Sequence, residues 1–110
     1  MNNLVILKNV GSVPQTPIYL PEARNAVKKL PPAIKPSVKH GIERFINHPF
    51  DGKELVDELS SFRSIAIGKY RIIYMIIEKQ RLIEIYFIGH RRDVYMSFKE
   101  LLEKINKSPF

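Results

Sequence analysis

The sequence predicts an α+β domain in which an antiparallel sheet carries an N-terminal helical hairpin and a C-terminal helix. Three observations support this: proline-bounded amphipathic segments between residues 20 and 48, an Ile- and Tyr-rich stretch over 62–89, and an amphipathic segment after residue 95. Helical and strand patterns thus occupy separate parts of the chain, which is typical of helices packed on one face of an antiparallel sheet. At 110 residues, the chain is expected to form a single domain over 1–110.

Two amphipathic helices joined by prolines form the predicted hairpin. The first begins at Pro21, a residue suited to the first turn, and Pro31–Pro32 ends it. The second tolerates Pro36 in its first turn and ends at His48–Pro49. Each segment has one apolar stripe at helical spacing: Ala23, Ala26, Val27 and Leu30 in the first, and Val38, Ile42, Phe45 and Ile46 in the second.

After residue 62 the composition changes to that of a β-meander. This stretch is rich in Ile, Tyr and Phe, which favour pleated surfaces. Strands are predicted at about 62–67, 69–78 and 81–89, and a short one at Leu4–Leu7. Residues 8–17 contain a glycine and two prolines, which argue against regular structure there. The C-terminal helix follows, with a stripe formed by Phe98, Leu101, Leu102 and Ile105.

The composition excludes several classes of protein. There is no cysteine, so disulfides and thiol chemistry are absent, and the three histidines lack metal-ligand spacing. No metal or other cofactor is therefore expected. No apolar run approaches the roughly 20 residues of a membrane helix, and the N-terminus lacks signal-peptide features, so a cytoplasmic protein without membrane contact is expected. The net charge of +7 favours a polyanionic partner, either nucleic acid or an acidic protein.

Cationic and titratable residues collect where the last strands end. Arg71 lies inside an apolar strand, His90, Arg91 and Arg92 close the next one, and Tyr95 follows. Arginine is rarely placed in a hydrophobic strand unless it reaches an edge or a ligand. Because guanidinium groups bind phosphate through paired hydrogen bonds, the cluster predicts a phosphate-binding surface.

The register between the last two strands decides which of these cations share a face. A three-residue loop over 78–80 places Arg71 opposite Phe87 and on the same face as Arg91. A two-residue loop reverses the parity, and Arg71 then shares a face with His90 and Lys69. Both registers gather cations at one end of the sheet.

Such a surface suits cleavage of an RNA phosphodiester, with the 2′-hydroxyl as nucleophile. Arginines would stabilise the charge on the phosphate oxygens, and Tyr95 or His90 would move protons. Structural alternatives exist for each residue: an ion pair of Arg71 with Glu84 or with the acidic cluster at residues 51–58, packing of Tyr95 on the last helix, and a loop hydrogen bond for His90.

The order and spacing of several motifs resemble the RelE/ParE superfamily of toxins from prokaryotic toxin–antitoxin pairs. The motifs are Gly-x-Tyr-Arg at Gly68–Arg71, Tyr74 three residues on, and Gly-His-Arg-x-x-x-Tyr at Gly89–Tyr95. Upstream, "EARNAVKKLP" and "IERFINHPFDGKEL" are similar to the helical hairpin of the family and to the Gly-Lys-x-Leu segment in which the chain leaves the hairpin. The resemblance covers roughly residues 20–105.

For RelE-like members, the resemblance implies a ribosome-dependent endoribonuclease that cleaves mRNA in the A site and is restrained by a cognate antitoxin. Arg71, Arg91 and Tyr95 match the residues that contact the scissile phosphate and assist proton transfer, and His90 is a further catalytic candidate. The residues predicted to bind RNA are Arg63, Lys69 and Arg92.

The chain differs from RelE-like members on the strand before Gly-x-Tyr-Arg. Those members commonly carry alternating basic residues there, whereas this chain has Ser64 and Ala66. Arg63 and Lys69 are near but lie on the other parity, unless a bulge re-aims them. The alternative is a non-enzymatic, ParE-like toxin that inhibits gyrase or another target by binding.

Overall fold

The computed structural model describes residues 16–107, which form a mixed five-stranded sheet and three helices. The strands are β1 Thr16–Tyr19, β2 Lys53–Glu54, β3 Arg63–Ile67, β4 Tyr70–Ile77 and β5 Leu82–His90. The helices are α1 Pro21–Lys29, α2 Lys35–Phe45 and α3 Val94–Lys107. The strand order is β1-β5-β4-β3-β2, with β1 parallel to β5 and the other pairs antiparallel. The α+β prediction is confirmed, but the sheet is mixed rather than purely antiparallel, because β1 joins its edge in parallel with β5.

The three meander strands and the helical hairpin lie within about two residues of their predicted positions, whereas α3 begins earlier than predicted and places Tyr95 in its first turn. The predicted strand at Leu4–Leu7 lies outside the described residues. The exclusion of regular structure up to residue 17 is wrong, because β1 begins at Thr16. Pro17 is tolerated there because β1 is an edge strand with a neighbour on one side only, and edge strands are where proline occurs in sheets.

The helices cover both faces of the sheet, so the expectation that they share one face is wrong. Apolar residues of α1 and α2 pack against Ile72, Ile83 and Ile85 on one face. Phe98 of α3 packs with Ile73 on the other. The physical reason lies in β4, whose side chains are apolar on both parities, so that both faces must be shielded from water.

The α1–α2 face approaches the sheet closely at one glycine. A Cβ built on Gly41 would lie 2.6 Å from Cδ1 of Ile67, closer than two carbon atoms pack. The missing side chain therefore lets α2 lie against β3.

The turn between β4 and β5 is longer than either predicted loop. It comprises Glu78–Arg81, and Ile77 pairs with Leu82. Arg81 takes the left-handed conformation at φ 55° and its N–H donates to the carbonyl of Glu78 (3.2 Å). Near the turn, the side chains therefore lie on the faces that were predicted for a two-residue loop.

A register shift in the middle of the hairpin then reverses that parity. Tyr74 pairs with Ile85, but its neighbour Ile73 pairs with Phe87, so Tyr86 is an extra residue in β5. Beyond the bulge, Arg71 lies opposite Gly89 rather than Phe87. Both predicted registers are therefore wrong in detail.

Tyr74 fastens the connection after α2 to the sheet. Its side chain is fully buried, and its hydroxyl donates a hydrogen bond to the carbonyl of Pro49. Burial raises the pKa of Tyr74 to about 12, against a partly opposing effect of Arg63. A Cβ at Gly52 would clash with the Tyr74 hydroxyl oxygen, so this approach requires glycine.

We expect the Tyr74→Phe substitution to lower the free energy of unfolding by about 1–2 kcal/mol at neutral pH, because the Pro49 carbonyl loses its donor. The raised pKa means that the folded protein favours the neutral phenol. The stabilisation that Tyr74 gives to the folded state is therefore full below pH 10.0 and is lost as the pH rises towards about 12. Urea unfolding at pH 8 and pH 11 should show that the difference in free energy of unfolding between wild type and variant shrinks by roughly 1 kcal/mol at the higher pH. A gap that stays constant would contradict the assignment.

Candidate functional site

One buried serine joins an arginine and a tyrosine from different parts of the fold. Ser64 is only 1% exposed. Its Oγ accepts a hydrogen bond from Nη1 of Arg71 (3.2 Å) and another from the hydroxyl of Tyr95 (3.1 Å). We call these three residues the Ser64 cluster. Arg71 and Tyr95 are half-buried, so both donors stay within reach of a ligand at the surface.

Strand pairing and the start of α3 bring this cluster together. In the β3–β4 ladder, Ala66 lies opposite Arg71, and Ser64 is two residues before Ala66. Since side chains alternate along a strand, all three point to the face that α3 covers. Tyr95 is in the first turn of α3, which starts only four residues after the end of β5. This short connection places the phenol beside the strand residues.

Arg91 lies at the same end of the sheet. Its backbone N–H donates to the carbonyl of Lys69 (2.8 Å), so the pairing extends one step beyond β5. Both residues lie in turns next to the Tyr70–His90 end of the β4–β5 pairing, where Arg71 is located. Both side chains are exposed. The backbone thus brings Arg91 to the Arg71 end of the sheet. The shared face of their two side chains stays a prediction.

His90 lies on the opposite face from the Ser64 cluster. It pairs with Tyr70, and the two rings meet edge to face with centroids 5.6 Å apart. Its Nδ1 accepts a hydrogen bond from the backbone N–H of Arg92 (3.2 Å). The structure therefore places His90 beside Tyr70, on the face of the sheet that α1 and α2 cover, and not beside Arg71.

Arg63 makes contacts that hold the fold. Its guanidinium donates to the carbonyl of Gly52 (2.7 Å), lies 5.0 Å from the ring centroid of Phe50, and is 3.6 Å from the carboxylate of Glu54. It lies on the other parity of β3 from Ser64. Arg92 is exposed in the turn before α3.

Two lysines that sequence reasoning did not single out also border the site. Lys53 of β2 is the cross-strand partner of Ser64. With Lys99 and Tyr95 it lines a cleft of about 270 Å³ between the β2–β3 connection and α3. Lys99 is 3.3 Å from Glu58. A backbone hydrogen bond and, secondly, Lys99 lower the pKa of Glu58. The pairing of β2 with β3 brings Lys53 opposite Ser64, and the sequence alone does not show that register.

Within residues 16–107, no group of three His, Cys, Asp or Glu side chains is placed to hold a metal ion. Over the same residues, no helix is long and apolar enough to cross a membrane.

The fold and the site define the class of protein. The structure resembles that of the toxin in a Mycobacterium tuberculosis RelBE2 toxin–antitoxin complex, with a TM-score of 0.67 and 32% identity over 74% of this chain and 95% of that one. The fold also matches the archaeal RelE–RelB complex from Pyrococcus horikoshii, with a TM-score of 0.58 and 19% identity over 72% and 97% of the two chains. Isolated E. coli RelE matches with a TM-score of 0.61 and 15% identity over 83% and 98%.

The sequence identifies the family. Residues 18–95 match the family described as ParE toxin of type II toxin-antitoxin system, parDE. No curated protein sequence matches the chain. The chain belongs to this family, within the RelE/ParE superfamily, and is a toxin of a toxin–antitoxin system.

Proposed function

We propose that this toxin is a ribosome-dependent endoribonuclease that cleaves mRNA in the ribosomal A site. The observation that supports it best is the Ser64 cluster, in which the guanidinium of Arg71 and the hydroxyl of Tyr95 bond to one buried oxygen. A group that stabilises phosphate charge and a group that can move a proton are thereby held side by side.

The proposed reaction is an internal transesterification. The 2′-hydroxyl of the substrate loses its proton and attacks the adjacent phosphorus, and the bond from phosphorus to the 5′-oxygen breaks. The 5′-oxygen takes up a proton, which leaves a cyclic phosphate on one fragment and a 5′-hydroxyl on the other. Arg71 and Arg91 stabilise the charge on the non-bridging oxygens. Tyr95 transfers a proton, and His90 receives no role because it lies on the other face.

RNA binding beside the cluster falls to the exposed cations at this end of the sheet. Lys69 and Arg91 are neighbours through their backbones, and Arg92 follows in the turn. Arg63 is given no RNA contact in this proposal, because its guanidinium is bonded to Gly52 and lies beside Glu54. A substrate held on the ribosome also places the toxin in the cytoplasm.

The proposed regulator is a cognate antitoxin that covers this cationic surface. The relatives from M. tuberculosis and P. horikoshii were solved as complexes of toxin and antitoxin. With a net charge of +7, the chain favours an acidic partner segment, whose binding weakens as the salt concentration rises.

A second candidate function is inhibition of gyrase by binding alone. The observations that favour it are the match to the ParE family and the neutral residues Ser64 and Ala66, at strand positions where RelE-like members commonly carry basic ones. A binding toxin needs no group to stabilise phosphate charge.

One preparation of toxin, tested on both targets, separates these functions. Purified ribosomes programmed with a defined mRNA should show new 5′ ends within the A-site codon by primer extension, and naked mRNA should stay intact. Gyrase supercoiling of plasmid DNA should be unaffected at the same toxin concentration. Inhibition of supercoiling with intact mRNA would reject the endoribonuclease and favour the binding toxin.

A further inference from the structure

We infer that Ser64 is a positioning residue that fixes the Arg71 guanidinium and the Tyr95 hydroxyl relative to each other. This role rests on the proposed function for its effect on rate, but the positioning itself is measurable without any cleavage. Ser64 would touch neither the substrate nor the reacting atoms, since it is 1% exposed beneath its two partners.

The hydrogen bonding of Ser64 accounts for its place in the sheet. A serine oxygen has two acceptor lone pairs, and Arg71 and Tyr95 occupy both. These donors come from β4 and α3, which are separate in the sequence and meet on the third element, β3. A single buried atom thus joins three elements at the site.

A purely space-filling role would not require the hydroxyl. Alanine occupies nearly the same volume, and burying a hydroxyl costs free energy unless it is hydrogen-bonded. Apart from the phenol of Tyr74, Ser64 is the only buried residue of the described core with a polar side chain. Its two bonds offset that cost, and the residues they restrain are the ones proposed to act on the phosphate.

Restraint matters most for Arg71, because a free arginine side chain has many rotamers. Ordering it costs side-chain entropy. If Ser64 holds the guanidinium in place before the substrate binds, that cost is not added to the reaction barrier. Ser64 stands on β3 where RelE-like members commonly carry a basic residue. It then serves the site by orienting Arg71, the cation that β4 supplies.

The test compares Ser64→Ala with Ser61→Ala, which removes an exposed hydroxyl from the loop before β3. In single-turnover cleavage on programmed ribosomes, Ser64→Ala should lower kcat by about 10- to 100-fold, the effect of one lost bond to a charged group, with little change in KM. Ser61→Ala should match wild type. If Ser64→Ala is folded and cleaves at the wild-type rate, the inference is wrong.

A double variant separates positioning from a general loss of packing. Added to Tyr95→Phe, the Ser64→Ala change should cost less of the logarithmic rate than it does alone, because one of the two bonds it removes is already gone and only the Arg71 bond is left to lose. Equal losses in both backgrounds would mean that Ser64 does not act through Tyr95, and would overturn the inference.

A readout without substrate keeps the inference distinct from the proposed function. The ¹⁵N relaxation of the Arg71 Nε–H group should report a restrained side chain in wild type and in Ser61→Ala, and a mobile one in Ser64→Ala. Loosening of Arg71 in a toxin that cleaves no mRNA would support the positioning role and reject the endoribonuclease. An Arg71 group equally mobile in all three proteins would overturn the positioning role, whether or not the toxin cleaves.

Discussion

Replacing Arg71 by alanine is expected to slow mRNA cleavage by about 10²- to 10³-fold, the usual cost of removing one preorganised donor to a developing oxyanion. Arg71 is the cation held in the Ser64 cluster, and its half-buried position limits the competition from water. Its removal should lower kcat more than it raises KM, since the charge on the non-bridging oxygens grows in the transition state. Single-turnover cleavage at saturating toxin measures the effect directly.

Two further variants make this result specific. Arg71→Lys should recover only part of the rate, because an ammonium group cannot reproduce paired hydrogen bonds to phosphate. Arg24→Ala removes the same charge from an exposed position on α1, on the other side of the sheet, and should cleave like wild type. If Arg24→Ala slows cleavage as much as Arg71→Ala, net charge rather than the cluster controls the rate.

Replacing Tyr95 by phenylalanine is expected to slow cleavage by about 10²- to 10⁴-fold, which is the range of general acid–base catalysis. The ring and its packing remain, while the hydroxyl that bonds to Ser64 is lost. Binding to the ribosome should change little, so co-sedimentation with ribosomes should match wild type. The two substitutions together separate charge stabilisation from proton transfer.

The matched control for this change is Tyr86→Phe. Tyr86 packs in the same apolar cluster as Tyr95, but its hydroxyl donates to Glu84 (3.1 Å) instead of to Ser64. Its cleavage rate should stay near that of wild type. If Arg71→Ala and Tyr95→Phe both stay folded and still arrest growth as wild type does, cleavage is not the toxic activity, and the binding function takes its place.

The sequence located the elements well because helices and strands of this kind have local signals. Pro21 starts α1, Pro36 lies in the first turn of α2, and the apolar run of β4 marks a strand that is covered on both sides. These signals act within a few residues of each other, so they can be seen along the chain. The motifs that carry the resemblance identified the family for the same reason.

The sequence was weaker wherever residues distant in the chain had to pair. Thr16 was missed as a strand residue, because β1 forms only by pairing in parallel with β5. The extra residue at Tyr86 was also missed, because a bulge becomes visible only when two strands are aligned.

By itself, the sequence determined that this protein is an α+β toxin and singled out Arg71, Arg91 and Tyr95 as its candidate site residues. Only the tertiary structure decided which side chains meet. A shift of one residue in strand pairing moves a side chain to the other face of the sheet. Because of the bulge in β5, Arg71 and His90 lie on opposite faces. The buried oxygen of Ser64 then joins Arg71 to Tyr95, a contact that depends on three elements meeting in space.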